Sequence, residues 1–214
     1  MISTVTDRPS GMGELVITTF MTLDGVMQAP GGRDEDREGG FDHGGWQAPV
    51  SDPASGERMY EEFQTWDAYL LGRRTYDIFA SFWPNQPDGP FTRLVNDLPR
   101  YVASRTLRKA DWAGTTILDG DVAQQVADIK GRHGRIGLWG SADLVQTLLR
   151  HDLVDRLDLW IYPLLLGTGK RIFAEGTVPA AFRPTEVTPF EGVAIHAVYE
   201  HAGRPTYAEM GDGS

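Results

Sequence analysis

The stretch Arg135-Ile136-Gly137-Leu138-Trp139-Gly140-Ser141-Ala142-Asp143-Leu144-Val145-Gln146-Thr147-Leu148-Leu149-Arg150 changes its hydrophobic period at Gly140. Arg135 to Trp139 is a short apolar run, as expected of a buried strand, and it stops at Gly140. Beyond it, Leu144, Val145, Leu148 and Leu149 recur at helical spacing, so Ser141 to His151 reads as a helix with Ser141 as its N-cap. A strand, a tight turn and a helix in that order form half of a βαβ unit. The long strand expected over Leu157 to Leu165 completes it.

The same alternation extends toward the amino end. Asp121 to Arg132 reads as a helix capped by Asp119 or Asp121, and Thr115 to Leu118 and Tyr101 to Ala103 read as strands. Arg73 to Trp83 is an expected helix, with Tyr76, Ile78 and Phe79 as core candidates. It follows a strand over Asp67 to Gly72. Ser55 to Trp66 reads as a helix capped by Ser55, with Met59, Tyr60 and Phe63 on one face. Leu15 to Met21, rich in β-branched and aromatic residues, reads as a first strand buried on both faces. Gln28 to Pro53 is long, glycine-rich and irregular. Its apolar marks Phe41 and Trp46 predict a loop that packs onto something, in the manner of a binding loop or lid. After Leu165 the pattern is β-only, and Phe182 to Thr188 and Val193 to His201 read as an antiparallel pair across Glu191-Gly192. The expected class is α/β, a mostly parallel sheet with helices on both faces and antiparallel strands at the carboxyl-terminal edge. The polar segment Met1 to Gly13 reads as a flexible tail, and residues 14–210 read as a single domain.

Composition narrows the function. The chain has 214 residues, with 20 Lys and Arg against 30 Asp and Glu, a formal net charge of −10. That balance offers no basic footprint for nucleic acid. There is no cysteine, which excludes disulfides, thiolate zinc sites and cysteine nucleophiles and fits a cytoplasmic protein. No signal peptide or spanning segment is visible. The five histidines, His43, His133, His151, His196 and His201, show no helix-face metal spacing, so no metal is expected. His133 and His151 read as exposed helix ends.

Three expected strand-to-helix junctions carry small residues: Gly72-Arg73-Arg74-Thr75, Ser104-Arg105-Thr106 and Gly140-Ser141-Ala142. Ligands of open α/β sheets bind at the carboxyl ends of strands. Helix N-termini offer free N–H groups to phosphate, and Arg adds a bidentate fork. The three together suggest a dinucleotide with several phosphates; each alone is also what a helix cap looks like. Gly167-Thr168-Gly169-Lys170 matches neither a Rossmann fingerprint nor a Walker A loop. Asp24, in Thr22-Leu23-Asp24-Gly25, stands after the first strand either as a site carboxylate or as part of an Asp-Gly turn.

The order Thr-Leu-Asp-Gly, Leu-Leu-Gly-Arg-Arg-Thr-Tyr, Val-Ala-Ser-Arg-Thr-Leu, Leu-Trp-Gly-Ser-Ala-Asp-Leu and Pro-Leu-Leu-Leu-Gly-Thr-Gly-Lys-Arg-Ile-Phe closely resembles the dihydrofolate reductase-like superfamily. Within it, the chain is similar to the reductase domain of the bifunctional riboflavin-biosynthesis deaminase/reductase, and to stand-alone bacterial members of that branch. The resemblance covers about Glu14 to Tyr207. It implies a three-layer α/β/α sandwich, NADPH as cofactor, a homodimer, and hydride transfer to a small heterocycle. In the riboflavin branch the acceptor is 5-amino-6-(5-phosphoribosylamino)uracil. By similarity, Gly72, Arg73, Arg74 and Thr75 hold phosphates, and Ser104, Arg105 and Thr106 meet the adenosine ribose and its 2′-phosphate. Gly140, Ser141, Ala142 and Leu144 meet the pyrophosphate, and the nicotinamide lies by Thr22. Substrate then sits among Asp24, Trp46, Leu166, Gly167 and Gly169, with Lys170 and Arg171 as cations for its phosphate. The deaminase half, with its zinc-binding His/Cys set, is absent. Folate-type reductases place a carboxylate on the first helix, where Glu57 is the positional match beside Asp24, but the helix with Glu61 and Glu62 is not folate-like. A dihydrofolate or pterin reductase and a non-catalytic NADPH-binding sensor or scaffold are the alternatives.

Overall fold

Glu14–Thr22, dense in β-branched and aromatic residues, forms the first strand, β1, and all but its first and eighth positions are buried. The computed structural model describes residues 11–209. The expected tail therefore lies outside the described residues as far as position 10, as does the last position of the expected domain. Gly13, at the tail's end, belongs to the fold. Its N–H donates to the Lys130 carbonyl at 2.7 Å, and a Cβ there would stand 1.8 Å from the His133 carbonyl oxygen.

The remaining elements follow as β2 (Ala68–Gly72), β3 (Arg100–Ala103), β4 (Thr115–Leu118), β5 (Arg135–Trp139), β6 (Arg156–Tyr162), β7 (Phe182–Phe190) and β8 (Ala194–His201), with α1 (Pro53–Phe63), α2 (Arg73–Phe82), α3 (Pro90–Asp97), α4 (Val122–Lys130) and α5 (Ala142–Arg150). The strands make one eight-stranded sheet in the order β4-β3-β2-β5-β1-β6-β8-β7. β1 through β6 pair in parallel, with Thr18 opposite Trp139 on one side and Asp158 on the other. β8 runs antiparallel to β6 and β7 antiparallel to β8. Strand side chains alternate between two faces. Leu15, Ile17, Leu70, Ile136 and Leu138 pack under Val126 and Ile129 of α4 and the Leu144–Leu149 stripe of α5. Tyr69, Leu71 and Val102 pack under Phe63 of α1, Tyr76 of α2 and Val95 of α3. The result is the three-layer sandwich expected, with its antiparallel edge.

Several details differ from expectation. α1 is capped by Asp52, whose carboxylate accepts from the Ser55 N–H at 2.7 Å; Ser55 is the third helical residue, answering back in a capping box. Asp121, not Asp119, caps α4. No helix follows Ser104: the chain runs from β3 through a loop into β4, so the second junction is a turn. The strand expected over Leu157 to Leu165 ends at Tyr162, before Pro163, and lies between β1 and β8. It is an interior strand; the edges are β4 and β7. The short α3 has no expected counterpart. His133 is mostly buried, its Nε2 2.8 Å from the Tyr101 hydroxyl.

The topology fixes where a cleft opens. From β2 the chain moves outward to β3 and β4, returns to β5 beside β2, and leaves β5 in the opposite direction toward β6. α2 and α5, which follow the neighbouring strands β2 and β5, therefore cover opposite faces. A crevice at such a switch point is where open α/β sheets bind ligands.

Candidate active site

A cleft of about 1080 Å³ opens at that switch point. It crosses the carboxyl ends of β3, β2, β5 and β1 in sheet order. Its floor is the pair of turns after β2 and β5. Gly140 (φ +80°) and Ser141 (φ +69°, ψ +75°) are both left-handed, a conformation costly for a side chain other than glycine. The turn throws the Ser141 hydroxyl across to β2, where it accepts from the Gly72 N–H at 2.8 Å and lies 2.7 Å from Thr75 Oγ1. A Cβ on Gly72 would stand 2.4 Å from that hydroxyl, so glycine is what lets the two turns meet. Ser141 thus occupies the N-cap position of α5 without capping it. That overturns the expected cap and has a consequence: neither α2 nor α5 has a side-chain cap hydrogen bond. α1, which starts away from the cleft, and α4, whose first residue Val122 reaches its edge, are both capped by aspartate. α3 is also without a side-chain cap, but it begins with Pro90, which has no N–H to satisfy there. Two helix N-termini with free N–H groups and positive dipole ends thus open onto one cleft.

The three expected phosphate segments all line this cleft: Gly72, Arg73, Arg74 and Thr75; Ser104, Arg105 and Thr106; Gly140, Ser141, Ala142 and Leu144. Ser104 closes its turn by accepting from the N–H groups of Thr106 and Leu107 at 3.3 and 3.0 Å, which leaves Arg105 exposed at the cleft's β3 end. Phe20, Phe79 and Trp139 form an apolar wall, with Trp139 6.0 Å from Phe20 edge-to-face and 5.2 Å from Phe79. In the sequence Trp139 is only the end of a strand. An aromatic residue immediately before Gly-Ser at a strand's carboxyl end was the available signal.

The cations of the cleft differ in their partners. Arg73 Nε donates to both Asp77 oxygens at 2.9 and 2.8 Å. Arg74 pairs with Glu38 at 2.7 Å, and Lys170 with Asp36 at 2.6 Å and Glu38 at 2.5 Å. Arg171 donates to the Asp24 and Gly167 carbonyls at 2.8 and 3.0 Å and reaches the Asp24 carboxylate at 3.3 Å. Among the described residues Arg105 has no carboxylate partner.

Several expected site residues stand elsewhere. Asp24 does not line the cleft. Its carboxylate accepts from the Thr22 hydroxyl and from the Gly167 and Leu166 N–H groups at 2.8 and 3.3 Å, tying the turn after β1 to the segment before Lys170. The Thr22 hydroxyl first, then those N–H groups, hold its pKa down at about 2. A carboxylate so held keeps its negative charge and gives up no proton at neutral pH. Thr22 is fully buried beneath this turn, its hydroxyl also accepting from the Val26 N–H, and so stands behind the cleft wall instead of in it. Glu57 is exposed on α1 and is not part of the cleft. Trp46 is buried, with its indole N–H on the Gln28 carbonyl at 2.8 Å and its ring edge-on to Tyr162. It anchors the loop in the core and does not line the cleft. Leu166, Gly167 and Gly169 also lie outside the cleft, and Gly169 (φ +114°) packs against Phe41 and Val26. Lys170 and Arg171 alone of the expected substrate group reach it.

Gln28 and Glu35 also carry no site signal in the sequence. Buried Gln28 staples the loop to the Gly167–Arg171 segment: its Nε2 donates to the Asp36 and Glu38 carbonyls and its Oε1 accepts from the Lys170 N–H. Glu35, on the cleft wall, accepts from the N–H groups of Gly31 and Gly32, and burial pushes its pKa up. No three His, Cys, Asp or Glu among the described residues gather as a metal site, and no described helix is long and apolar enough to cross a membrane.

Residues 14–195 match the RibD C-terminal domain family. The chain belongs to that family. RibD C-terminal domains are reductases, and this chain is an oxidoreductase of their kind. It is 27% identical over 195 residues to the uncharacterized protein YyaP of Bacillus subtilis (strain 168), covering 88% of this chain and 95% of YyaP. Among solved structures, one from Shewanella sp. PV-4 named for riboflavin biosynthesis superposes with a TM-score of 0.68 at 20% identity, covering 88% and 98% of the two chains. The diaminohydroxyphosphoribosylaminopyrimidine deaminase/5-amino-6-(5-phosphoribosylamino)uracil reductase of Thermotoga maritima superposes with a TM-score of 0.57 at 13% identity. This chain covers 57% of that longer protein, and 89% of this chain is covered. At these identities the superpositions speak for the fold.

Proposed function

We propose that this RibD C-terminal domain protein is an NADPH-dependent reductase that transfers hydride to a small heterocyclic acceptor. One observation carries the reading. The only two helices that start at the switch point among the described residues, α2 and α5, open uncapped onto one cleft, and an unpaired arginine stands at its β3 end. The donor set fits a phosphorylated dinucleotide. Free N–H groups of Arg73 to Thr75 and of Ala142 to Leu144 suit the pyrophosphate. Ser104, Arg105 and Thr106 suit a ribose 2′-phosphate, for which arginine offers a bidentate fork. NADPH, when bound, supplies the hydride. The protein's part is positional: Phe20, Phe79 and Trp139 give planar rings an apolar wall that excludes water, and the interlocked Gly72–Ser141 turns hold both helix ends in register. The phosphoribosylamino-pyrimidine of the family is the reference acceptor against which other heterocycles are compared. A homodimer and a cytoplasmic location belong to the same proposal.

The test is a titration of the purified protein with NADPH and with NADH, followed by tryptophan quenching. Tight NADPH and weak NADH binding is expected. Arg105→Ala is expected to weaken NADPH about tenfold more than NADH. Equal weakening of both removes Arg105 from the 2′-phosphate. If neither nucleotide binds, the two turns are helix starts and nothing more.

A further inference from the structure

The cleft's charge is arranged unevenly, and the unevenness bears on the acceptor. At the β3 end Arg105 has no carboxylate partner among the described residues. At the β1 end, where an acceptor would meet the dinucleotide's reactive ring, every cation is already matched. Lys170 lies between Asp36 and Glu38, at 2.6 and 2.5 Å, and Arg74 closes the group on Glu38 at 2.7 Å. Arg171 is spent on the Asp24 and Gly167 carbonyls and the Asp24 carboxylate.

This acidic turn is built into the fold. Asp36 is buried and accepts from the Glu38 N–H at 3.0 Å. Gln28, buried beneath it, grips the carbonyls of Asp36 and Glu38 with one end of its amide and the Lys170 N–H with the other, at 3.1, 3.0 and 3.0 Å. Turn and lysine are therefore fixed to each other through the Gln28 side chain, which bonds to the main chain of both, as well as by charge. A phosphate seeking Lys170 or Arg74 has to displace two carboxylates. Displacing Asp36 strips a buried charge of its partner, which is strongly unfavourable.

We propose that the Asp36–Glu38 turn sets the substrate class by withholding Lys170 and Arg74 from phosphate, so that the hydride acceptor is a heterocycle carrying no phosphate group. This rests on the reductase reading and departs from the phosphorylated acceptor of the riboflavin branch. Asp36 and Glu38 act here as specificity residues through the cations they hold.

The experiment uses the full chain saturated with NADPH, so that the dinucleotide sites are filled. Failure to saturate overturns the reductase reading itself and is seen before the second step. Inorganic phosphate and ribose 5-phosphate are then titrated against wild type, Asp36→Asn/Glu38→Gln and the milder Glu38→Gln, with thermal melts to confirm folding. Wild type is expected to bind ribose 5-phosphate no more tightly than ribose. The double variant is expected to gain at least tenfold in affinity for both phosphate probes, and Glu38→Gln at least threefold. Where the double variant does not fold, Glu38→Gln decides. Tighter binding of ribose 5-phosphate than of ribose by wild type, or equal phosphate affinity in wild type and the folded variants, overturns the proposal.

Discussion

At the scale of single residues, Asp24 shows how one local sequence supports two readings. Thr-Leu-Asp-Gly after a strand is compatible with a site carboxylate or with a turn, and spacing alone does not separate them. The partners do: a hydroxyl and two backbone N–H groups surround the carboxylate and keep it ionised. Its folded pKa of about 2 lies below the ordinary 3.8. The stability it contributes is therefore fully present above about pH 4 and is lost as pH falls toward about 2. Asp24→Asn is expected to melt at a lower temperature than wild type above pH 4, with the gap narrowing as pH approaches 2. A gap constant over that window would show that the charge contributes nothing. Ser141 was legible as a residue of the switch-point turn. Its left-handed backbone was not, because that conformation answers to the Gly72 N–H, 69 positions away in sequence.

At the scale of elements, strands and long amphipathic helices were readable because their periods are local. Leu144, Val145, Leu148 and Leu149 pointed to α5, and the β-branched run pointed to β1. What escaped were pieces fixed by distant partners. The eight-residue α3 is too short for its period to stand out, and the turn after β3 looks in sequence like the start of a helix. The glycine-rich segment after Gln28 was expected to pack, and it does, through Phe41 and Trp46. The structure places Trp46 edge-on to Tyr162, in one apolar cluster with Phe20 and Trp160. The loop's first debt is to the fold, and Trp46→Ala is expected to cost about 3–5 kcal/mol of unfolding free energy, as for other buried aromatic truncations. Chemical denaturation measures it; a loss below 1 kcal/mol with impaired substrate turnover would return Trp46 to the binding site.

Over the whole molecule, the net charge of −10 and the internal pairing of Arg73, Arg74, Lys170 and Arg171 leave little positive field to draw in an anionic cofactor. Under the proposed function, the association rate constant for NADPH is expected to rise as salt is added, because screening beyond the Debye length, about 8 Å at 0.15 M, weakens the general repulsion more than the short contact with Arg105. Stopped-flow quenching at several ionic strengths measures this, and a rate that falls with salt would mean that the arginines steer after all. The class of fold was legible at this scale, since alternating strands and helices followed by strands alone leave few arrangements. The charge layout of the cleft was not, because Asp36, Glu38, Arg74 and Lys170 come together only in three dimensions.

Gly137 lies at the middle of β5, and a Cβ there would come within 2.0 Å of the Trp66 ring. The two positions are thereby bound into one hereditary unit. Gly137→Ala by itself is expected to lower stability by 1–3 kcal/mol or more, as overpacking does (about that range is typical), while Trp66→Leu opens the space and should make Gly137→Ala far less harmful. A lineage drifting away from this sequence would have to exchange the tryptophan first and the glycine second; the reverse order leads through a chain that folds poorly.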